Sequence, residues 1–458
     1  MPNNSDEDSN QDNLEDVELQ ELYSYRDLFF EKHPVEMASE KNKLIEEKKN
    51  LLLEKFEDID VDTQIPIQLR AQFHYLKGKC YNISPTYDSS AIQCLSKAVK
   101  LNPHMVSAWN ELGECYWKNM NIKEAKASFE GALKHERNRL SLRCLSIIVR
   151  QERFGRKNET TDSVLKSVEM AKEAVALDTK DGVSWTVLGN AYLCQFFIIS
   201  QDPATLKLCM SAYKQAKLDP IAKGQPDLYY NEGVALKYEE CYGEALESFM
   251  KASRLDPGWE PPQQALTELL QYLNDSQQLQ RTRGKLKGKR IAQMIQSIDE
   301  KMLGEYGPST FHTFGTRKNV QLKLTRLDAL QEGTNEGTVI LGRVVGSIHN
   351  DNSVPFTFAI VDSSMSCVCV TVYNWAGGRG AIIGDAVCLP EPSVVKTHKI
   401  YYRSDPEGFP PKKHPSKFQK YEFKSIRVNN PMLLLVNGRR VGRNQVASTL
   451  VTSTYEAQ

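Results

Sequence analysis

The spacing of apolar positions divides the chain in two. From about residue 66 to 275, large and small apolar residues return at helical spacing in successive segments, which predicts a series of amphipathic helix pairs. The clearest copy holds Trp109, Leu112, Gly113, Tyr116, Ala125, Phe129 and Ala132, a set that supplies a wedge, small close-packing residues and a ring between two helices. A second copy runs through Tyr229, Gly233, Ala245, Phe249 and Ala252 to Pro257, where proline ends the second helix because it donates no hydrogen bond. A third opens with Trp185, Leu188, Gly189 and Tyr192, and FFIISQDPATLK then interrupts it before Tyr213 and Ala216 resume the pattern. This predicts a lengthened loop or helix end. Weaker copies lie at Gly78, Tyr81, Ala91, Ala98 and Pro103, and at Ala174, which stands 11 residues before Trp185 as Ala98 stands before Trp109. From Val320 the period becomes two and the residues β-branched, in VQLKL, GTVILGRVVGSI, FTFAIVD, CVCVTVYN, DAVCLP and YEFKSIRV. Turn signals at Gly377, Gly378 and Asn437-Gly438 separate these runs, predicting a small β-barrel or sandwich.

These patterns give an α + β multidomain chain. Residues 1–18 are expected to be a disordered acidic tail, with seven acids and no Lys or Arg. Residues 19–65 read as N-terminal capping helices with a polar outer face, 66–275 as the repeats, and 276–318 as a basic linker with a helix. Residues 319–445 form the β-domain, with its Pro-broken basic loop at 401–420, and 446–458 a C-terminal tail.

Charge and cysteine content narrow the class. With 58 basic and 58 acidic residues, no global field favours nucleic acid or membrane. Ten cysteines without a CxxC pair predict a reduced protein without zinc. The acidic start lacks the basic and apolar regions of a signal peptide, and no uninterrupted apolar run reaches membrane-spanning length. A cytoplasmic and nuclear location is expected. Phosphate loops, GxSxG, HExxH and Rossmann fingerprints are missing, so no enzyme, catalytic residue, metal or cofactor is expected. The acids at Glu239 and Glu240 read as a solvated helix face.

The repeat spacing assigns Trp109, Gly113, Tyr116, Ala125, Phe129, Trp185, Gly189, Gly233, Ala245, Phe249 and Pro257 to structure rather than to a ligand cage. Counting from each wedge places Asn110, Glu114, Asn190, Asp227 and Tyr230 toward the other face of each first helix. Asn190 is the leading candidate there, because an amide both donates to and accepts from an extended peptide backbone. Between Arg281 and Arg290, RTRGKLKGKR carries six basic residues and no acid, which suits either a solvated linker or a phosphate-following segment. Arg439, Arg440 and Arg443 would extend the same patch.

The repeat residues resemble the tetratricopeptide family over about 66–275, which implies a stacked superhelix with a concave groove. The strand pattern resembles an oligonucleotide/oligosaccharide-binding (OB) barrel. The combination of YSYRDLFFEKHPVE, CLSKAVKLNPHMVSAWNELGECYWK, LSIIVRQ, KYEECYGEALESF, VPFTFAIVDS and MLLLVNG is similar to a family of tetratricopeptide proteins that end in an OB-fold. That resemblance implies two roles. One is a ribosome-associated, non-catalytic adaptor that takes the nascent Met-Arg-Glu start of tubulin in its groove and, through an mRNA-decay adaptor, triggers decay of tubulin messages. The other is a stress-responsive nuclear cofactor of the DNA damage response that bridges a histone acetyltransferase to a transcription factor. It also implies that Arg150 in LSIIVRQ pairs with the peptide's glutamate and Asp227 in QPDLYYN with its arginine. Lys97 and Lys100, with Lys287 and Lys289, would face the ribosome, its RNA and its proteins. The family's acid after DP-x-W stands one place later than Glu260 does here, and Glu260 is the residue that would substitute for it. A reading from a third class is an independent single-strand-binding protein acting through the β-domain.

Overall fold

The computed structural model describes residues 17–151, 157–314, 316–348, 355–376, 380–403 and 418–446. The predicted tail through residue 16, the turn at Gly377 and Gly378, most of the 401–420 loop and the end of the chain from 447 lie outside the described residues. Among the described residues there are two compact units, 17–239 with 247–263, and 240–246 with 264–446.

The helical elements are α1 (17–27), α2 (Phe29–Lys32), α3 (Ala38–Glu57), α4 (Val61–Gln64), α5 (Arg70–Asn82), α6 (Ser89–Leu101), α7 (Val106–Lys118), α8 (Ile122–His135) and α9 (Arg139–Gln151). They continue as α10 (Lys157–Leu177), α11 (Gly182–Gln195), α12 (Pro203–Ala216), α13 (Pro220–Lys223), α14 (Pro226–Tyr238), α15 (Tyr242–Leu255), α16 (Glu260–Thr282) and α17 (Gly288–Gln296). Starts are set by capping side chains. Asp88, Asn121, Asp202 and Asp219 each accept a backbone N–H from the first turn that follows, and Pro203 and Pro220 stand where no N–H is needed.

The helical unit is held by a steric key that recurs from repeat to repeat. A Cβ on Gly113 would lie 2.7 Å from the Phe129 ring, on Gly189 2.4 Å from Tyr213, on Gly233 2.6 Å from Phe249, and on Gly78 2.6 Å from Leu95. Each first helix therefore needs glycine where the second helix pushes in its large side chain. The wedge tryptophans also fix the preceding turns: Trp109 Nε1 donates to Pro103 O (2.7 Å) and Trp185 Nε1 to Thr179 O (2.9 Å). The interrupting FFIIS forms a π-helical continuation of α11 over Phe196–Ser200, packed on Tyr238, and Asp202 then restarts the pattern. Gly182–Ile199 is long and apolar enough to cross a membrane. More than half of it is buried inside the protein, however, and its apolar character is that of a core helix.

In the β-unit the strands are β1 (Phe311–Phe314), β2 (Arg317–Gln321), β3 (Lys323–Leu324), β4 (Thr338–Ser347), β5 (Phe356–Val361), β6 (Cys367–Val372), β7 (Ala386–Pro390), β8 (Val394–Arg403), β9 (Phe418–Val428), β10 (Leu435–Val436) and β11 (Arg439–Arg440). The order β7-β4-β5-β6-β9-β8 is antiparallel except where β6 runs parallel to β9. Because β7 and β8 are separated only by a bend at Glu391 (φ +39°), they act as one strand whose halves pair with β4 and β9, which closes a five-stranded barrel. Ile340, Val344, Phe358, Ile360, Val368, Val370, Val372, Ile426 and Val428 fill the interior.

Two expectations are corrected here. The segment 276–318 is not a linker. The last turns of α16, the turn Arg283–Lys285 and α17 belong to the β-unit, where Ile291 (3% exposed), Leu279, Leu286, Met294 and Ile295 pack with Val345, Ala359, Val361 and Cys369. Glu240 is not solvated either. It is buried, accepts from Tyr373 Oη (3.2 Å) and lies 3.7 Å from Arg427.

Candidate functional site

The first helices of successive repeats carry three of the predicted residues to one place. Asn190 on α11 accepts from Tyr213 Oη at 2.8 Å, which leaves its amide to donate to the Asp227 carboxylate in the first turn of α14. Tyr213 is the ring that fills the space left by Gly189, so core packing and site geometry share one side chain. Arg150, in the last turn of α9, reaches Ser146 Oγ at 3.3 Å and lies within electrostatic reach of Asp227, Tyr213 and Cys194.

Both charged groups of the cluster are shifted by their surroundings. Burial pushes the Arg150 guanidinium below its ordinary value, and the pull of Cys194, Tyr213 and Asp227 only partly offsets it. Burial likewise pushes the Asp227 carboxyl up, against backbone N–H groups at the start of α14, Arg150 and Asn190. Each charge has thus lost more hydration than its neighbours return. A ligand bringing an opposite charge to each would recover that deficit. Beside Asp227, Tyr230 packs at 5.1 Å from Trp259 and 5.9 Å from Phe249, giving the site an aromatic flank.

Other candidates fall elsewhere. Asn110 is 8% exposed and is spent within the wall: its amide donates to Asn138 Oδ1 (3.1 Å) and its carbonyl accepts from Ser141 Oγ, both on the next repeat. It is a tie between repeats and not a peptide contact. Glu260 stands exposed in the first turn of α16 and joins none of the three residues among those described. Glu114 shares α7 with Glu111, which the sequence reading missed. Burial first, then Glu114, raise the Glu111 carboxyl to about 7, although Asn82 Nδ2 donates to it at 2.7 Å. The stabilising effect of the neutral acid is full below about pH 4.5 and is lost as pH rises through about 7. Glu111→Gln is therefore expected to make the helical unit more stable at pH 8, by a few kcal/mol at most, with little change at pH 4.5. Thermal melts at the two pH values check this.

The basic candidates are placed on fixed scaffolds. Lys97 and Lys100 are exposed on α6, while Lys287 caps α17 and Lys289 is exposed in its first turn. Arg440 is already engaged by Glu305 at 2.6 Å. The barrel face that OB-folds use for oligonucleotides, their second and third strands, corresponds to β5 and β6. Here that face is covered. Tyr272 Oη of α16 bonds Thr357 (3.2 Å) and Thr371 (3.4 Å), Cys369 Sγ donates to Ser276 O, and Ala359 is fully buried. Gln277 and Gln280 of the same helix accept from the backbone N–H groups of Glu422 and Lys424 on β9. That face is thereby occupied by α16.

The described folds have relatives in both halves. Residues 321–450 match the Tetratricopeptide repeat protein 5 OB fold domain, and residues 106–138 and 226–258 match the Tetratricopeptide repeat. The chain is 40% identical over 441 residues to Tetratricopeptide repeat protein 5 of Homo sapiens, covering 96% of each chain. It is 41% identical over 438 residues to the protein of the same name from Mus musculus, covering 95% of each. Among solved structures, the tetratricopeptide protein YrrB is 21% identical, with a TM-score of 0.31 over 47% of this chain and 99% of that one. At such identity along nearly its whole length, the chain is an adaptor-type, protein-binding member of the tetratricopeptide repeat protein 5 family.

Proposed function

We propose that this adaptor holds a short, charged peptide, the nascent Met-Arg-Glu start of tubulin, across Arg150, Asn190 and Asp227, and does so at the ribosome to promote decay of the tubulin message through a decay adaptor. The observation that supports the reading is the grouping of Arg150, Asn190 and Asp227, carried to one place by α9, α11 and α14. A glutamate facing Arg150 and an arginine facing Asp227 would each meet an opposite charge. Asn190, anchored by Tyr213 and bonded to Asp227, has a second amide N–H to offer the peptide backbone. Work at the ribosome would place the protein in the cytoplasm, with a nuclear fraction if the transcription-cofactor role is also exercised.

The ribosome part has its own test. Lys287 and Lys289 stand exposed at the start of a helix pinned by Ile291, so their charge is presented at a fixed place. The double variant Lys287→Glu/Lys289→Glu is expected to lower ribosome co-sedimentation at least tenfold at physiological salt, with the melting temperature unchanged. Equal sedimentation of both proteins would return the basic run to solvated charge. Nuclear residence without co-sedimentation under any tubulin load would favour the cofactor role, with a histone acetyltransferase and a transcription factor as partners.

A further inference from the structure

The N-terminal segment was expected only to cap the first repeat, and its beginning does so. Leu19 and Leu22 are buried in one core with Leu52, Phe56, Phe73 and Leu76. Its later residues go further. Tyr23 Oη donates to Lys79 O on α5 at 3.0 Å, and the same phenol is raised by burial and by the nearby Glu111 of α7. Arg26 pairs with Asp27 at 2.7 Å and lies within electrostatic reach of Glu114, also on α7. Then Phe30 meets the other side of the array. Its ring is 3.5 Å from where a Gly224 Cβ would stand, and the carbonyl oxygen of Asp27 is 3.9 Å from the same point. Gly224 closes the turn between α13 and α14, three residues before Asp227. Lys41, which stacks over Phe30 at 4.9 Å, senses Asp256 in the turn beyond α15.

A segment that bonds α5, lies within electrostatic reach of α7 and packs at the start of α14 joins repeats that are not neighbours along the stack. In a superhelix only the concave side brings such repeats within the reach of one short helix. We propose that residues 17–32 bridge the concave groove and form one wall of the peptide site, with Phe30 as a positioning residue for the part of the ligand held at Asp227. This rests on the groove reading above. The ligand is the same short peptide of one basic and one acidic residue, enclosed between this wall and the floor made by α9, α11 and α14. An enclosed ligand leaves slowly, because it must lose its wall contacts before it reaches water.

The test uses the full chain and a fluorescent peptide beginning Met-Arg-Glu, with association and dissociation followed by stopped flow. Phe30 is half-buried and lies outside the Leu19 and Leu22 core, so Phe30→Ala should keep the fold. It is expected to raise the dissociation rate about tenfold, the loss typical of an aromatic contact. Unchanged kinetics in Phe30→Ala, while Arg150→Glu still abolishes binding, would overturn the wall and leave the groove standing. Unchanged binding in Arg150→Glu would instead sink the groove reading itself. Should Phe30→Ala unfold, hydrogen exchange of the unaltered protein decides. Added peptide is expected to slow exchange across residues 17–32 as well as across α9, α11 and α14, and slowing confined to the three repeat helices would refute the wall.

Discussion

Arg150→Glu is expected to reduce binding of a Met-Arg-Glu peptide by at least ~100-fold, the cost of breaking a desolvated charge pair and opposing like charges. The guanidinium is half-buried, and burial already weighs against its charge, so a complementary carboxylate meets it partly screened from water. A glutamate there repels the peptide's acid and also stands within reach of Asp227, whose own carboxyl is already pushed up by burial. Arg150→Gln, which removes charge without reversing it, should lose less. Changing the peptide's glutamate to lysine should restore part of the affinity to the Arg150→Glu protein and weaken binding to the unaltered one. Fluorescence anisotropy with the four combinations gives the coupling between the two positions directly. Circular dichroism should be the same throughout, because Arg150 contributes one long bond to Ser146 and no core packing.

Gly284→Ala is expected to be the most damaging single-methyl change in the β-unit. Gly284 has φ +68° between Arg283 (φ +50°) and Lys285 (φ +59°), so three consecutive residues lie in the left-handed region. A Cβ on Gly284 would fall 1.9 Å from the carbonyl oxygen of Val345 and 2.7 Å from its carbonyl carbon. That obstacle is the backbone of a central barrel strand, which has no rotamer by which to move aside. The left-handed penalty for alanine is about 1 kcal/mol, and displacing the turn from β4 brings the total to roughly 3 kcal/mol or more. The unit's melting temperature should fall by about 10 °C. Gly288→Ala is the control: nothing lies within 4 Å of its Cβ position, and it begins a helix, so it should be neutral or slightly stabilising.

How far the sequence could be read follows from the kind of interaction involved. The helix pairs were legible because the glycine-and-ring key is a local steric demand that leaves the same residues at the same spacing in each repeat, as at Gly113 with Phe129 and Gly233 with Phe249. The strands were legible from their β-branched runs. The basic segment was misread because six charges masked Leu286, in the turn before a short helix, and Ile291, Met294 and Ile295, which lie along one side of that helix and bury it. The covered barrel face was hidden for another reason. Thr357, Ala359, Cys369 and Thr371 are small residues that fit equally well in water or under a helix. Within the groove, Asn190 and Asp227 followed from counting along a helix, and Arg150 came from resemblance. Asn110 failed because the residues that consume its amide, Asn138 and Ser141, belong to the following repeat. The reach of residues 17–32 toward Gly224 is a contact between segments nearly two hundred residues apart, for which no local pattern exists.

The sheathing of β5 and β6 also bears on how this unit can change over evolutionary time. Its strands are constrained on both sides, by the barrel interior and by α16 and α17, so few substitutions there leave the packing intact. The outward face of α17 is under no such restraint, since Lys287, Lys289 and Arg290 touch solvent while Ile291 alone anchors the helix deeply. Substitutions can therefore accumulate on this face of the helix without disturbing the barrel beneath it.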